Sequence, residues 1–462
     1  MKFFPLVFGA FFLSMPAYAE TPHGSDLSLF WGMPFVGILL SLAFFPLIRP
    51  TLWHNHYGKI VGAIGAVFFA LFSYSFGFRA AFDTLMAAVL HEYIPFVSLL
   101  FALFTISGGI RITGPFTGTP KSNVLILAIG ALLASVIGTT GASMLFITVL
   151  LRANQWRLHK KHTVIFFIFL VANVGGCLTP LGDPPLFLGY LHGVPFFWPL
   201  QNLSHGLIIV AGVLLFFFYI LDSYYFRFET DKQEAPVKDK LRLYGKRNIP
   251  LLASVIGLVL MSGIGQDDMH VMIFGISKAV SDIVRDVGLI LIGMLSIRVS
   301  HKADRQKNHF SWEPILEIAK IFFFIFLTVS PVVMILHAGT EGALAPLIAL
   351  SHHADGRPDN FAYFWLSGLL SSFLDNAPTY LVFFHMAGGD ALELVGKLGH
   401  TLQALSFGAV FMGAMTYIGN APNFMVRTIA EKRGVKMPSF FGYMLWSFGI
   451  LGPIFFVFSL FL

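Results

Sequence analysis

The amino-acid sequence predicts an all-α polytopic membrane protein with about ten transmembrane helices and two re-entrant hairpins, arranged in two inverted repeats. The first reason is composition: 56% of the 462 residues are hydrophobic and 12% are charged, with a mean hydropathy of +0.76. So little charge cannot cover a soluble protein of this size. The second is a series of apolar segments long enough to cross about 30 Å of hydrocarbon. The third is a set of polar breaks at corresponding places in the two halves.

Ten apolar segments predict the crossings, since about 20 helical residues span the hydrocarbon core. Two of them, 163–200 and 400–426, are interrupted by polar residues. A stretch at 227–248, with charges of both signs and Pro236, predicts a cytoplasmic linker between a first repeat at 21–226 and a second at 249–462. The crossings are predicted at residues 27–48, 60–78, 93–110, 163–200, 206–226, 249–264, a segment ending near 297, 315–337, 400–426 and 440–462.

The first 20 residues resemble a signal peptide. Lys2 precedes an apolar run that ends at Met15, and Ala17-Tyr18-Ala19 forms a small-residue cleavage site. The alternative is an uncleaved first helix, and both interpretations place Glu20 on the outer side. This pattern predicts a multi-pass protein of the bacterial cytoplasmic (inner) membrane.

Two apolar stretches, 123–151 and 361–386, have a polar break at the middle and are open to two interpretations, a full crossing or a hairpin. As hairpins they place six basic loops on one side, with 23 of the 30 Lys and Arg residues. A full crossing by 123–151 would send the basic loop 152–161 outside, against the positive-inside rule. We therefore predict hairpins. Five crossings per half then give the halves opposite orientations, as in secondary transporters.

The breaks contain related polar motifs. Thr139-Thr140-Gly141 in the first half and Asp375-Asn376-Ala377-Pro378-Thr379 in the second are each followed about forty residues later by another. The later pair reads Gly182-Asp183-Pro184-Pro185 and Gly419-Asn420-Ala421-Pro422. Alignment sets Thr139 opposite Asp375 and Asp183 opposite Asn420. Each half therefore contributes one acid and one neutral oxygen-bearing residue to a shared site.

The residue types at the breaks predict a cation site. We call residues 138–146, 173–188, 371–383 and 411–426 the four broken stretches. They contain two acids, Asp183 and Asp375, and no Lys or Arg. An intramembrane Asp costs about 2.5 to 3.5 kcal/mol to insert, so it is usually functional or paired. Oxygen ligands suit Na⁺, and a low dielectric favours the protonated carboxyl. We therefore expect Na⁺ and protons to compete for Asp375 and Asp183. The remaining predicted site residues are Asn376, Asn420, Thr139, Thr140 and Thr379.

Alternatives stay open at single residues. Asp-Pro and Asn-Ala-Pro are also ordinary turn and helix-cap sequences, so either acid could cap a half-helix. Thr379 could equally satisfy neighbouring backbone. The loop histidines His352 and His353 lack the spacing of a metal site, and Glu92 is expected to be solvated at the edge of a span.

Several functional classes are disfavoured. The cations lie in short loops between apolar runs, which argues against a nucleic-acid partner. The sequence has no phosphate-binding loop of the Gly-x-x-x-x-Gly-Lys-Ser/Thr type, which argues against direct ATP drive. A membrane-embedded enzyme is a third possibility, but we find no nucleophile with a base and no metal cluster. We expect no cofactor, with membrane lipid and a small ion or organic anion as partners.

On these motifs the chain resembles the ion transporter superfamily, which contains NhaD-type sodium/proton antiporters, citrate transporters, arsenite permeases and dicarboxylate carriers. It lacks the paired Ser-Asn-Thr signature of the dicarboxylate carriers, having Thr139-Thr140-Gly141 and Asp375-Asn376-Ala377 instead. The resemblance implies a homodimer with a scaffold and a moving transport domain. The leading hypothesis is sodium/proton antiport by alternating access, and the alternative is proton- or sodium-coupled transport of citrate or another organic anion.

Overall fold

The structure is a computed structural model that describes residues 22–229, 240–264, 269–308, 310–353 and 355–462. The predicted signal peptide at 1–20 lies outside the described residues, as does the middle of the predicted linker at 230–239.

The described residues are mostly helical. Helix α3 contains an internal π-helical turn at Ala88–Tyr93. The first ten helices are α1 (Met33–Ile48), α2 (Pro50–Phe76), α3 (Phe78–Gly108), α4 (Pro120–Ile137), α5 (Thr139–Ala153), α6 (Lys161–Leu170), α7 (Pro184–Leu191), α8 (Trp198–Phe226), α9 (Asn248–Ile264) and α10 (Val280–Val299). The others are α11 (Lys302–Lys307), α12 (Glu313–His337), α13 (Ala345–Ala349), α14 (Asn360–Leu374), α15 (Asn376–Met386), α16 (Ala391–Val395), α17 (Gly399–Phe411), α18 (Ala421–Lys432) and α19 (Phe440–Ser459).

Seven helices of the described part are long and apolar enough to cross a membrane, namely α1, α2, α3, α4, α8, α12 and α19. Three shorter apolar helices, α5, α6 and α9, accompany them. These elements agree with a polytopic membrane protein. Helices α2 and α3 begin well before the predicted crossings at 60 and 93. At the start of α3 the charges pair along the helix, with Arg79 Nε 2.9 Å from Asp83 Oδ2, so charged residues extend the helix without ending it.

Two short antiparallel sheets depart from the all-α expectation. Strand β1 (Arg111–Thr113) pairs with β2 (Arg242–Tyr244), and β3 (His270–Ile273) pairs with β4 (Ile276–Ala279). The first sheet joins the end of the predicted linker to the loop after α3. It is reinforced by the Arg111 guanidinium, which lies 3.8 Å from the centre of the Tyr244 ring. This part of the predicted linker is therefore ordered against the helical body.

Both segments with a central break double back on themselves. Helices α4 and α5 meet at Gly138, and their far ends are joined because Asn123 and Asn154 exchange amide hydrogen bonds of 2.9 and 2.7 Å. Helices α14 and α15 meet at Asp375, and near their far ends the rings of Tyr363 and Phe383 lie 6.3 Å apart. Each segment therefore forms a helical hairpin that begins and ends at the same end of the molecule.

The centre of the molecule is formed by the two interrupted segments, α6 with α7 and α17 with α18. Helices α6 and α17 are buried almost throughout by the surrounding helices. Non-helical backbone at membrane depth is tolerated only where protein or water satisfies its polar groups. The backbone between the paired helices is almost entirely buried in protein, which meets that condition and allows both segments to break.

Candidate functional site

Four helices begin at the broken positions, and residues from their first turns or caps meet at one place. Helix α5 follows Gly138, and α7 is preceded by Asp183. Helix α15 follows Asp375, and α18 is preceded by Asn420. The first turn of a helix leaves backbone N–H groups without an intrahelical partner. Because Pro184 and Pro185 of α7, Pro378 of α15 and Pro422 of α18 have no N–H, the site combines the remaining backbone donors of these turns with polar side chains.

Asp183 occupies the centre of this site and is only 1% exposed. Its Oδ1 accepts hydrogen bonds from Thr139 Oγ1 at 2.8 Å and from Asn420 Nδ2 at 3.2 Å. Its Oδ2 accepts from Asn376 Nδ2. A carboxylate that is buried among neutral donors is solvated by the protein but keeps its charge uncompensated by a side-chain cation.

Asp375 adopts a backbone conformation that is unusual for any residue other than glycine. Its φ and ψ are 78° and 142°, and those of Gly138 at the tip of the first hairpin are 79° and 148°. Asp375 therefore corresponds to Gly138, and Asn376 to Thr139. This corrects the predicted alignment of Thr139 with Asp375 by one residue. The physical reason is that Thr139 and Asn376 are each the first residue of a helix and both donate to Asp183.

The hydrogen bonds that hold the two broken segments follow one pattern. Ser135 Oγ donates to the Gly175 carbonyl, and Thr179 Oγ1 donates to the Ser135 carbonyl. In the second half Ser372 Oγ donates to the Met412 carbonyl, and Thr416 Oγ1 donates to the Ser372 carbonyl. The matched residues are all 237 positions apart (372 − 135, 416 − 179, 412 − 175). Asp183 and Asn420 keep the same spacing, as predicted for that pair (420 − 183).

Two glycines allow the loops of the broken segments to close. A Cβ on Gly182 would overlap the backbone carbonyl of Gly176, and a Cβ on Gly419 would lie 2.6 Å from the carbonyl oxygen of Gly413. Because both obstacles are backbone atoms, they cannot move aside by a change of rotamer. The loops therefore need glycine at both positions to place Asp183 and Asn420 at the site.

The structure separates the predicted site residues into two groups. It brings Asp183, Thr139, Asn376 and Asn420 into direct contact. The other three lie around them. Asp375, 8% exposed, accepts from the Ala377 backbone N–H at 3.3 Å. Thr140 lines the adjoining cavity, and the Thr379 hydroxyl donates to the Asp375 carbonyl at 2.8 Å.

A cavity of about 40 Å³ adjoins the site and has room for a few water molecules. Thr139, Thr140 and Asp183 supply its polar lining, and its other walls come chiefly from apolar residues of α3 and α12. No Lys, Arg or His is among its lining residues in the described part of the chain. The cavity is therefore lined mostly by apolar side chains, with the Asp183 carboxyl group among its few polar groups.

Oxygen atoms are the available cation ligands. Within the ranges that the structure describes, no group of three or more His, Cys, Asp or Glu is placed to hold a metal ion. The Oδ1 atom of Asn376 is buried without a hydrogen-bond partner, and it belongs to the amide whose Nδ2 donates to the Asp183 carboxylate. A buried acceptor of this kind costs free energy unless a proton donor or cation satisfies it.

Two asparagines that we did not predict extend the site. Asn420 Nδ2 donates to Asn173 Oδ1 at 3.2 Å, and Asn173 Nδ2 donates to Asn423 Oδ1 at 2.8 Å. Asn423 in turn donates to the carbonyls of Gly413 and Thr416. This chain of amides links Asp183 to both broken segments. The available sequence signal was an asparagine immediately beside a break in an otherwise apolar run.

The electrostatics of the site combine two opposed contributions. Each helix N-terminus carries roughly half a positive charge, so four of them offset about two negative charges. Asp183 and Asp375 supply that number when both are ionised. The site is then close to neutral overall, and protonation of either acid makes it favourable for an anion.

No curated protein matches the chain. The model of the CitMHS_2 family, described as putative citrate transport, matches residues 24–462, nearly the whole chain. This match agrees with the resemblance to citrate transporters and their superfamily, and with the apolar helices of a membrane transporter. The chain therefore belongs to the putative citrate transport family.

Proposed function

We propose that the protein is a secondary transporter of the bacterial cytoplasmic membrane that exchanges Na⁺ for protons by alternating access. The observation that carries this proposal is the environment of Asp183, a buried carboxylate held by three neutral donors. One of them is the amide of Asn376, whose Oδ1 is buried without a partner. The four broken stretches also lack Lys and Arg. A cation thus meets two acids and several neutral oxygens, with no competing side-chain cation.

In this mechanism Asp183 and Asp375 bind the transported cation or protons, but not both together. Thr139 and Asn420 orient the Asp183 carboxylate, and Asn376 contributes its free carbonyl oxygen. When the cation leaves, the desolvated carboxylates favour protons, because burial penalises their ionised form. Movement of the hairpins and broken segments would expose the site to each face in turn.

The second candidate is proton- or sodium-coupled transport of citrate or another organic anion, with the two acids binding the coupling ion. The family description and the four helix N-termini support it, since such N-termini bind anionic substrate groups in transporters. A tricarboxylate is several times larger than the 40 Å³ cavity beside Asp183, so this candidate requires the cavity to open. For this reason we rank it second.

We further propose two inverted repeats, 21–226 and 249–462, with ten crossings and two re-entrant hairpins. The constant spacing of 237 residues between matched hydrogen bonds supports the duplication. In this topology the second hairpin and the end of α12 face the outside. The resemblance to the superfamily supports a homodimer.

Transport in everted membrane vesicles tests the function. We expect the protein to dissipate a pH gradient on addition of Na⁺, and we expect Asp183→Asn and Asp375→Asn to abolish this response. Asp355→Asn is the matched control, because Asp355 pairs with Arg357 on an exposed loop. Labelled citrate is offered to the same vesicles. Citrate uptake without Na⁺-dependent dissipation would reject antiport in favour of the second candidate.

A further inference from the structure

The two half-helices that begin at the acids end at a cluster of histidines. Helix α7 follows Asp183 and is terminated by His192, while α15 follows Asp375 and carries His385 in its last turn. The ring centres of His192 and His385 lie 5.0 Å apart. His337, at the end of α12, places its ring centre 4.8 Å from that of His385.

One carboxylate faces this cluster directly. Glu92 lies in the π-helical turn of α3, and its Oε1 is 3.2 Å from His192 Nε2. Isolated π-helical turns are uncommon and often occur at functional sites. The cluster therefore joins two pairs of helices. Helices α3 and α12 supply Glu92 and His337, and helices α7 and α15 supply His192 and His385.

The cluster lies at the border between protein and water: His192 and Glu92 are half-buried, and His337 is exposed. His385 is buried, and its Nδ1 has no hydrogen-bond partner. Glu92 Oε2 is also buried without one. The second nitrogen of His192 lies 2.9 Å from the Leu188 carbonyl, so that ring is held at both ends. Because His385 Nδ1 and Glu92 Oε2 make no hydrogen bond, a proton can bind either atom without breaking an existing hydrogen bond.

Other charged groups border the cluster through an adjoining cavity of about 280 Å³. Lys278 Nζ lies 2.7 Å from Asp286, and Arg285 pairs with both Asp282 and Asp286, so these cations are already compensated. His91 lines the same cavity. On the neighbouring helix α16, the exposed Asp390 and Glu393 lie in water, and Asp390 caps that helix. Glu92 therefore remains the principal counter-charge for three imidazoles.

We propose that His192, His337 and His385, with Glu92, form a second proton-binding site that releases the ends of α7 and α15 from α3 and α12 when it is protonated. This proposal rests on the proposed function in two respects: the topology that places the histidine cluster on the outer face, and the movement of the half-helices α7 and α15 during transport. It assigns proton binding to residues outside the transport site around Asp183.

The direction of the effect follows from charge. In the closed arrangement one carboxylate serves three imidazoles, so further protons place like charges about 5 Å apart, and little water screens these charges at the buried His385. In an opened, hydrated arrangement each imidazole titrates near its ordinary value of about 6.5. Protons therefore bind the open arrangement better, and by linkage acid favours opening.

The experiment measures access to the cluster without any transport. In a Cys177→Ala background, Ala387→Cys places a thiol at the end of α15, where Ala387 is 7% exposed. Leu392→Cys, at a position that is 87% exposed, corrects for the intrinsic pH dependence of the thiol. The full-length protein in lipid nanodiscs is treated with a membrane-impermeant maleimide. We expect the ratio of the two labelling rates to rise about tenfold between about pH 7.5 and about pH 5.5.

Substitutions identify the groups responsible. We expect His385→Gln and, independently, His337→Gln to flatten the pH dependence, so that a folding defect in one variant does not decide the result. His353→Gln is the matched control, because His353 is an exposed histidine in the loop before α14. Glu92→Gln removes the counter-charge that favours a proton on His192 in the closed arrangement, and it should make the rise in the labelling ratio larger.

The proposal would be overturned by a labelling ratio that does not change with pH, or by one that changes as much in both histidine variants as in the unsubstituted histidine background. The assay contains no Na⁺ gradient or citrate, so its outcome is separate from that of the vesicle experiment. A pH-dependent ratio in a protein without Na⁺-dependent dissipation would reject antiport and retain the second proton-binding site.

Discussion

Replacement of Asp375 by glycine should remove the acid and at the same time relieve its backbone. At φ 78° and ψ 142°, a residue with a Cβ pays a conformational penalty that glycine avoids. The matched tip of the first hairpin has Gly138 in the same conformation. We therefore expect Asp375→Gly to unfold at a higher temperature than Asp375→Ala, although both variants lose transport.

The magnitude follows from three contributions. Strain at such a non-glycine position is of order 1 to 3 kcal/mol. The greater flexibility of glycine in the unfolded chain lowers the stability of the glycine variant relative to the alanine variant by roughly 0.5 to 1 kcal/mol. Both variants lose the bond from the Ala377 N–H to the Asp375 carboxylate, so this bond cancels in the comparison. Asp375→Gly should therefore be more stable than Asp375→Ala by about 1 to 2 kcal/mol.

The lone cysteine provides the assay. Cys177 is buried, so a thiol-reactive fluorophore reports its exposure as the protein unfolds on heating. Gly138→Ala is the reciprocal variant and should lower the unfolding temperature. A Cβ there would lie 3.3 Å from the Leu181 carbonyl oxygen, a slightly close contact, so most of its cost is backbone strain. Equal or lower stability of Asp375→Gly relative to Asp375→Ala would refute the strain argument.

Three further variants test the site and its supports. Thr139→Val removes a hydrogen bond to the central carboxylate and should raise the Na⁺ concentration for half-maximal response about tenfold or more, whereas Thr139→Ser should restore it. Gly182→Ala should prevent folding or lower the unfolding temperature sharply, whereas Gly212→Ala, with open space around it, should not. Arg157 is fully buried, and its Nη1 lies 2.6 Å from Asp222 Oδ1. Asp222→Asn removes this closest charged partner and should therefore destabilise the protein by about 3 to 5 kcal/mol, measured by denaturant or thermal unfolding.

The sequence predicted the hairpins and the broken segments because the constraints on them are local. Apolar runs need lipid or protein around them, and a break such as that at Asp183 or Asp375 is tolerated only where protein encloses it. The distribution of basic loops then limited the directions in which 123–151 and 361–386 could run. These properties can be read from residue types alone.

The tertiary structure decided the register of the two halves and the hydrogen-bond partners of the two acids. Sequence alignment placed Asp375 opposite Thr139, but backbone conformation matches it to Gly138, since both residues precede a helix at a hairpin tip. The structure also shows that Asp183, and not Asp375, accepts the hydrogen bonds from Thr139, Asn376 and Asn420. The histidine cluster was not predicted, because His192 and His385 are far apart in the chain and meet only when α7 and α15 pack together. Composition and periodicity thus determine which segments enter the membrane, whereas contacts between distant segments determine which side chains share a site.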